Sequence, residues 1–293
     1  MNEPLSFLRR WGTALAAAAL TAGTALVGPI LGPADATPSA PLILAPAHHP
    51  PAGPLSATHG GGGGTSYGWS SSNWSGYAVQ TTSASPFNSV SGSWTVPAVT
   101  KPKRGNSGYS SAWVGLDGFF NSPSSLIQTG TEQDFYYGSG HYSAWWTSQA
   151  QGYQEQVITS GCSWGGTHCG SVTPGDVMTA SVTRTGSITL SDGSSSHGWG
   201  FSTGIAYTGP GLSAEWILEA PSSTSGVLPL ANYGSAAFDP GTVNGSSNPG
   251  FVAGDGGYLV QNGAVRSIPS VPDSDTDGFT AAYGSTPPPP PNS

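Results

Sequence analysis

Glycine and proline interrupt this chain so often that no helical pattern of ten residues survives. The 293 residues include 44 Gly and 26 Pro, and both residue types destabilise the interior of a helix. Such a content approaches that of disordered chains, but 10 Trp, 11 Tyr and 9 Phe supply enough apolar surface for a sizeable core. The sequence therefore predicts a folded chain that is built from something other than helices.

Short runs rich in Trp, Tyr, Val and Ile alternate with Gly/Ser/Asn/Pro clusters over residues 67–285. This spacing is typical of an all-β sandwich. The predicted strands are Asn73–Gln80, Ser89–Val96, Ser110–Asp117, Ser125–Gly130, His141–Ser148, Val177–Arg184, Ser187–Leu190, Gly198–Ser202, Ala214–Glu219, Ala236–Phe238 and Tyr258–Gln261.

The two ends of the chain differ from this region. Residues 1–36 have the pattern of a signal peptide, with Arg9 and Arg10 before an Ala/Leu-rich run and an A-x-A site that ends at Ala36. The run is nearly long enough for a membrane anchor, but its Gly and Pro residues and the small-residue site favour removal. Residues 37–66 are predicted to form a flexible leader or pro-segment, and residues 286–293 a Pro-rich tail.

Charged residues make up only 8% of the chain, and the formal net charge is −8. No basic stripe is present that would neutralise phosphates, so nucleic acid is not expected as a partner. Because few positive side chains would repel one another at low pH, the composition is compatible with an acid-tolerant secreted protein. We expect an extracellular monomer without a membrane partner after signal removal.

Cys162 and Cys169 lie in a Ser/Gly/Thr-rich segment, and in an oxidising compartment they are predicted to form a disulfide. His168 raises the alternative of a metal site. However, the three residues do not match the paired-cysteine spacings of zinc sites, so no metal is predicted there.

Two further motifs match functional patterns only in part. Residues 64–68 match G-x-S-x-G, but the match lies at the end of a glycine run rather than at a strand-to-helix turn. Asp273, Asp275, Asp277 and Gly278 resemble the start of a calcium loop, yet Gly284 stands where a bidentate Glu is required. A polar turn is the preferred interpretation, with a calcium site as the alternative.

Strand periodicity separates two kinds of side chain. In residues 113–117, Trp113 and Asp117 share one face, whereas Val114 and Leu116 share the other. The same division places Gln128 opposite Ile127, Trp145 opposite Trp146, and Glu215 and Glu219 opposite Trp216 and Leu218. One face of each strand is thus suited to a core, and the other combines aromatic rings with carboxyl or amide groups, as in a ligand cleft.

Six segments in series resemble the glutamic peptidase family, also called eqolisins. They are Ser72–Tyr77, Ser93–Pro97, Trp113–Gly118, Leu126–Gly130, Ala214–Glu219 and Leu230–Gly234. The resemblance implies a sandwich of two curved antiparallel sheets, of the concanavalin-like or jelly-roll type, that binds polypeptide substrates on its concave face. It also implies cleavage at acid pH by a Gln/Glu dyad without a cofactor.

The matched positions give a candidate site. Gln128 and Glu215 would be the catalytic residues, while Trp113, Asp117 and Trp145 would bind substrate or support the site. Many relatives carry acidic residues around the Trp that matches Trp145, where this chain has Ser143 and Thr147. Glu155 is the nearest replacement acid in the sequence.

Two rival functions also fit a secreted β-sandwich with an aromatic cleft. A glycoside hydrolase would need two acids facing each other across the cleft, and Glu215 with Glu132 or Asp134 would be the candidates. A non-catalytic glycan-binding module would use the aromatic rings alone.

Overall fold

The computed structural model describes residues 49–50, 56–57, 67–103, 105–120, 122 and 124–293. Apart from three short 3₁₀ turns, at Gln149–Gln151, Gly166–His168 and Ala253–Asp255, the regular structure in these residues consists of β-strands. The prediction of an all-β fold is therefore confirmed. The predicted signal peptide lies outside the described residues, as does most of the predicted leader.

Nineteen strands are numbered here in chain order within that part of the chain. They are β1 Ser56–Ala57, β2 Trp69–Ser71, β3 Trp74–Gln80, β4 Ser89–Thr95, β5 Ser111–Leu116, β6 Ile127–Tyr136, β7 Ser139–Ser148, β8 Tyr153–Val157, β9 Cys162–Trp164, β10 Val177–Thr183, β11 Ser187–Asp192, β12 Trp199–Gly204, β13 Ser213–Glu219, β14 Ser222–Ser223, β15 Gly226–Val227, β16 Ser235–Val243, β17 Gly256–Gln261, β18 Ala264–Pro269 and β19 Phe279–Tyr283.

Most of these strands form two antiparallel layers. In the first, the order is β8, β7, β6, β5, β13, β3 and β17. In the second, it is β9, β12, β11, β10, β4, β16, β19 and β18. Pairing of β17 with β18 joins the layers at one edge.

The main hydrophobic core lies between the two layers. Val114, Leu116, Ile127 and Leu218 of the first layer belong to the same buried cluster as Trp94, Met178, Val182, Leu190 and Phe238 of the second. Trp216 also crosses the interface, where its indole N–H donates to the carbonyl of Ser91 at 2.8 Å. These residues occupy the face that periodicity assigned to the core, so the opposite face of the first layer is left for the candidate site.

All eleven predicted strands are present, with ends shifted by a few residues. The largest change is in β6, which continues to Tyr136 because the polar residues 131–134 are buried within the sheet. The strands that the sequence did not indicate are mostly short or polar, such as β8, whose sequence is YQEQV. Pairing with neighbouring strands, and not the local pattern, holds these segments extended.

The predicted disulfide is confirmed, since Cys162 in β9 is bonded to Cys169. The bond closes a small loop at the far edge of the second layer, beside β12. No helix in the described residues is long and apolar enough to cross a membrane. The Pro-rich tail carries no regular structure. Its last residue, Ser293, accepts a hydrogen bond from the hydroxyl of Ser274 at 2.9 Å.

Candidate functional site

Gln128 and Glu215 lie in one side-chain row of the first layer. Gln128 on β6 pairs with Gly115 on β5, and Gly115 pairs with Glu215 on β13. Directly paired residues of antiparallel strands point to the same face, and neighbouring strands are about 4.8 Å apart. The two side chains therefore flank a glycine, and the Trp113 ring packs over this glycine, 2.9 Å from where a Cβ atom would lie.

The next row on this face is aromatic. Trp113 on β5 pairs with Gly130 on β6, which pairs with Trp145 on β7. A Cβ atom on Gly130 would lie 2.5 Å from the Cβ atom of Trp113, so only glycine fits there. Both indole rings are fully buried in a second hydrophobic cluster, which lies on the site face.

A third row carries two carboxyl groups, Glu219 on β13 and Glu132 on β6, with Ser111 between them. The indole N–H of Trp113 donates to Oε2 of Glu219 at 2.8 Å. The amide of Asn73 lies 3.5 Å from the other oxygen of Glu219. Glu219 is therefore held in place by two of the segments that resemble glutamic peptidases, those around residues 73 and 113.

Asp117 supports the loop that precedes β13. Its carboxylate accepts hydrogen bonds from the hydroxyl of Tyr207 at 2.6 Å and from the backbone N–H groups of Gly211 at 2.9 Å and Leu212 at 2.7 Å. Asp117 is fully buried and adopts a left-handed backbone conformation, with φ of 66°. Because β13 begins at Ser213, these bonds fix the start of the strand that carries Glu215.

Glu215 is fully buried. Burial raises its pKa well above the ordinary value; the nearby Ser213 hydroxyl opposes this rise and the charge of Asp117 adds to it. Within the described residues, neither oxygen of Glu215 has a hydrogen-bond partner, and neither has Oε1 of Gln128. Buried polar groups are normally hydrogen-bonded, so these three atoms are available to a reacting molecule.

The other buried acids of this face behave similarly. Burial raises the pKa of Glu132, and the charges of Asp134, Glu155 and Glu219 raise it further. Burial also raises the pKa values of Asp134 and Glu219 well above their ordinary range. Burial therefore shifts each of these carboxyl groups toward the protonated form relative to an exposed carboxyl group.

His49, from the predicted leader, is buried in this site. Its carbonyl oxygen accepts hydrogen bonds from the side-chain amides of Gln128 and Gln149, each at 2.9 Å. Its ring stacks on Trp145 with 3.6 Å between ring centroids and 4° between planes. Nδ1 lies 3.0 Å from Glu219 Oε2, and Nε2 lies 3.6 Å from Glu132 Oε1.

Thr147 and Glu155 line a cavity beside His49. Thr147 pairs with Gln128, but its hydroxyl donates to the carbonyl of Tyr153 at 2.6 Å. Glu155 on β8 is buried, and a carboxylate oxygen of it lies within 4.8 Å of ligand atoms of His49 and Glu132. The structure thus brings an acid to the site from the neighbouring strand.

Three groups of side chains in the described residues have a geometry compatible with a metal ion: His49, Glu132 and Glu155; Asp176, Asp192 and His197; and Asp239, Asp273 and Asp277. The third shares Asp273 and Asp277 with the calcium-like motif. There Oδ1 of Asp273 accepts the backbone N–H groups of Asp277 and Gly278, at 3.2 and 3.1 Å, which is the geometry of a polar turn.

The glycosidase geometry is not favoured. Gln128 is the residue of β6 that lies level with Glu215. Glu132 lies four residues further along β6, which is about 13 Å in the strand direction. Asp134 lies two residues further. Retaining and inverting glycosidases hold their acids at about 5 Å or about 6.5–9.5 Å, so neither pair is suitably placed.

Sequence reasoning did not place His49, Glu132 and Gln149 in the peptidase site. Strand periodicity carried a signal for Glu132, which shares the parity of Gln128 on β6. No comparable signal existed for His49, because its low-complexity surroundings show no periodicity.

Comparisons with known proteins agree with this arrangement. The peptidase A4 family matches residues 72–276. Aspergillopepsin-2 of Aspergillus niger is 26% identical over 235 residues, which cover 73% of this chain and 78% of that protein. A crystal structure of scytalido-glutamic peptidase is 23% identical with a TM-score of 0.54, and one of SCP-B, an eqolisin, is 23% identical with a TM-score of 0.53. Each covers 72% of this chain and 98% of the other.

The two solved structures support the β-sandwich fold, and the family match extends over more than half of the chain. Together these similarities show a peptide hydrolase of the glutamic, or eqolisin, type. The chain belongs to the peptidase A4 family.

Proposed function

We propose that this chain is an exported acid endopeptidase that hydrolyses peptide bonds with Gln128 and Glu215 as its catalytic dyad. The observation that carries the proposal is the row in which these two side chains flank Gly115 on the site face. Trp113, Asp117 and Trp145 then act as supporting or substrate-binding residues.

Hydrolysis of an amide needs a base for the attacking water and a donor for the carbonyl oxygen that becomes negative. Glu215 would accept a proton from water as the water oxygen attacks the carbonyl carbon. It would then return that proton to the leaving nitrogen as the C–N bond breaks. Its unpartnered, buried oxygens support this role.

Gln128 would stabilise the oxyanion through its side-chain NH₂, a contribution of about 3–4 kcal/mol in comparable sites. The same NH₂ group donates to the carbonyl oxygen of His49 at 2.9 Å. This contact supports the role, because it shows a peptide carbonyl within reach of the proposed donor.

The protonation of Glu215 sets a lower limit to the working pH. A general base must be ionised, and burial raises the pKa of Glu215 above 4.5. We therefore expect the rate to fall as the pH falls through this raised pKa.

The disulfide Cys162–Cys169 supports the proposal of an extracellular location, since such bonds persist in oxidising compartments. In this proposal residues 1–36 direct export, residues 37–66 are a pro-segment, and the mature enzyme is a monomer. Mass spectrometry of secreted material would test the removal of residues 1–36 and of residues 37–66. An active form that still carried residues 37–66 would contradict the assignment of these residues as a pro-segment.

The dyad is tested by digestion of an unfolded protein from pH 3 to 7 with pepstatin present to exclude aspartic peptidases. Purified wild type, Glu215→Gln and Gln128→Ala would be compared, with Asp275→Asn, which changes an exposed carboxyl group outside the site, as the control. The proposal expects new amino termini from the wild type, none from Glu215→Gln and few from Gln128→Ala. Undiminished cleavage by Glu215→Gln would rule out this dyad.

A further inference from the structure

Three aspartates of the second layer meet where β16 separates from β19. Asp239 lies in β16 directly after Phe238, the last residue of β16 that pairs with β19. Asp273 and Asp277 lie in the loop between β18 and β19, and the carbonyl oxygen of Asp277 accepts the backbone N–H of Gly241 at 2.8 Å. One carboxylate oxygen of each aspartate lies within 4.8 Å of the other two. Two distant segments of the sequence therefore form a single carboxylate cluster.

Two buried oxygen atoms of this cluster lack a hydrogen-bond partner. Asp273 is only 6% exposed, and its Oδ1 accepts the backbone N–H groups of Asp277 and Gly278. Among the described residues, however, its Oδ2 has no partner, and neither has Oδ1 of Asp277. Buried polar atoms are normally hydrogen-bonded. The polar turn thus accounts for one oxygen of Asp273 and leaves the other available to a ligand.

The cluster concentrates negative charge that no side chain balances. None of the ion pairs in the part of the chain that the structure describes includes Asp239, Asp273 or Asp277. Burial and neighbouring charges raise the pKa of Asp277 to about 6; the charges are those of Asp275, Asp273 and Asp239. Burial and the charges of Asp273 and Asp275 also raise the pKa of Asp239. A bound cation would relieve this repulsion, because a nearby opposite charge favours the ionised form of a carboxyl group.

The donor atoms of the cluster suit calcium. All of them are oxygens, which hard cations prefer, whereas zinc sites usually include nitrogen or sulfur. At a Ca–O distance of about 2.4 Å, two ligands of one ion can lie up to about 4.8 Å apart, in agreement with the spacing of the three carboxylates. Asp239 and Asp277 are partly exposed, so water can supply the remaining ligands. Mg²⁺ would demand a tighter octahedron, with ligands at about 2.0–2.1 Å.

We propose that Asp239, Asp273 and Asp277 form a calcium site that ties the β18–β19 loop to β16. The D-x-D-x-D-G motif lacks the distant Glu of a complete calcium loop, and in the fold Asp239 supplies a carboxylate from another strand. Because the cluster belongs to the second layer, this inference does not depend on the proposed Gln128/Glu215 dyad. Extracellular calcium sites typically have dissociation constants of about 10⁻⁴–10⁻³ M, and we expect a value in this range.

Two substitutions remove a proposed ligand with little other change. Asp273→Asn keeps an oxygen for the N–H groups of Asp277 and Gly278 and replaces the unpartnered oxygen by an NH₂ group. Asp239→Asn changes a partly exposed side chain, so the fold should persist even if Asp273→Asn disturbs the turn. Asp192→Asn is the matched control, since Asp192 is a buried acid of the second layer that belongs to a different carboxylate group.

Thermal unfolding of the full chain tests the proposal. Every protein would carry Gln128→Ala to limit self-digestion, and each would be freed of metal with EGTA and then measured near pH 7.5 alone, with about 10 mM CaCl₂ or with about 10 mM MgCl₂. We expect calcium to raise Tm by about 3–6 °C in the chain with Gln128→Ala alone and with added Asp192→Asn. The shift should be lost with Asp273→Asn or Asp239→Asn.

Four results would each overturn the proposal. These are no calcium shift in the chain with Gln128→Ala alone, an undiminished shift with Asp273→Asn or Asp239→Asn, an equal shift with MgCl₂, and loss of the shift with Asp192→Asn. The last result would assign the bound calcium to the other carboxylate group. A calcium titration of the same proteins by calorimetry should agree, with binding that Asp239→Asn weakens by about tenfold or more.

Discussion

Gln128 and Glu215 belong to strands that do not pair with each other, yet they share one side-chain row because Gly115 on the strand between them pairs with both. The register of β5 therefore sets the relation between the two groups. A shift of β5 by one residue against either neighbour would turn a dyad member to the opposite face.

Gly115→Ala should lower kcat by about tenfold or more, because well-placed reacting groups lose rate steeply when they are displaced. The new Cβ would lie 3.2 Å from the Cβ of Gln128 and 2.9 Å from the Trp113 ring. Gly204→Ala in β12, where nothing lies within 4 Å, is the matched control. Equal kcat values for the two variants in steady-state kinetics would show that the absence of a side chain at position 115 is unimportant for catalysis.

Asp117→Asn should destabilise the fold by about 1–3 kcal/mol and lower kcat. The NH₂ group of the new asparagine would face groups that are themselves hydrogen-bond donors. These are the Tyr207 hydroxyl and the backbone N–H groups of Gly211 and Leu212. Tyr207→Phe removes only one of these bonds and should cost about 1 kcal/mol. Urea unfolding measures both variants, and a larger loss for Tyr207→Phe would contradict the role given to Asp117.

Stability should fall as the pH rises from 4 to 8. Burial raises the pKa values of Glu132, Asp134, Glu215 and Glu219 in the folded chain, so the folded state binds more protons than the unfolded state. Their contribution is complete below the unfolded values, near pH 4, and is lost as the pH rises through the folded values.

Thermal unfolding of the Gln128→Ala variant, which keeps all four carboxyl groups and limits self-digestion, would measure this trend. Adding Glu132→Gln should flatten it. A Tm that rises from pH 4 to 8 would mean that these groups are ionised in the folded chain.

Replacing both Cys162 and Cys169 with serine should lower stability by about 2–3 kcal/mol, the value expected for a short closed loop. Because the bond lies at the far edge of the second layer, kcat of the folded variant should stay close to that of the wild type. A large loss of kcat at a temperature where the variant is fully folded would contradict this separation.

The sequence predicted the strands of the core and site well because both faces of those strands carry a clear pattern. Residues 113–116 alternate between the core, with Val114 and Leu116, and the site face, with Trp113. The edge strand Tyr153–Val157 lacks such a pattern, since its position depends on pairing with β7. Long-range register of this kind is not encoded in local residue preferences.

The same limit applies to the candidate site. The resemblance to glutamic peptidases named Gln128 and Glu215, but the position of Gly115 between them follows from strand pairing. Glu155 and His49 approach the site from separate segments, and only the folded chain brings them next to Glu132.

A double-mutant cycle on kcat tests the proposed dyad most directly. It compares the processed wild type, Gln128→Ala, Glu215→Gln and the double variant on one peptide at the optimal pH. Residues that act as a unit are strongly non-additive. We predict a loss of about 10²–10³ for Gln128→Ala, a loss for Glu215→Gln of at least about 10⁴, as seen for other catalytic groups, and no further loss in the double variant. A Glu215→Gln enzyme that keeps a substantial share of the wild-type kcat would contradict the account.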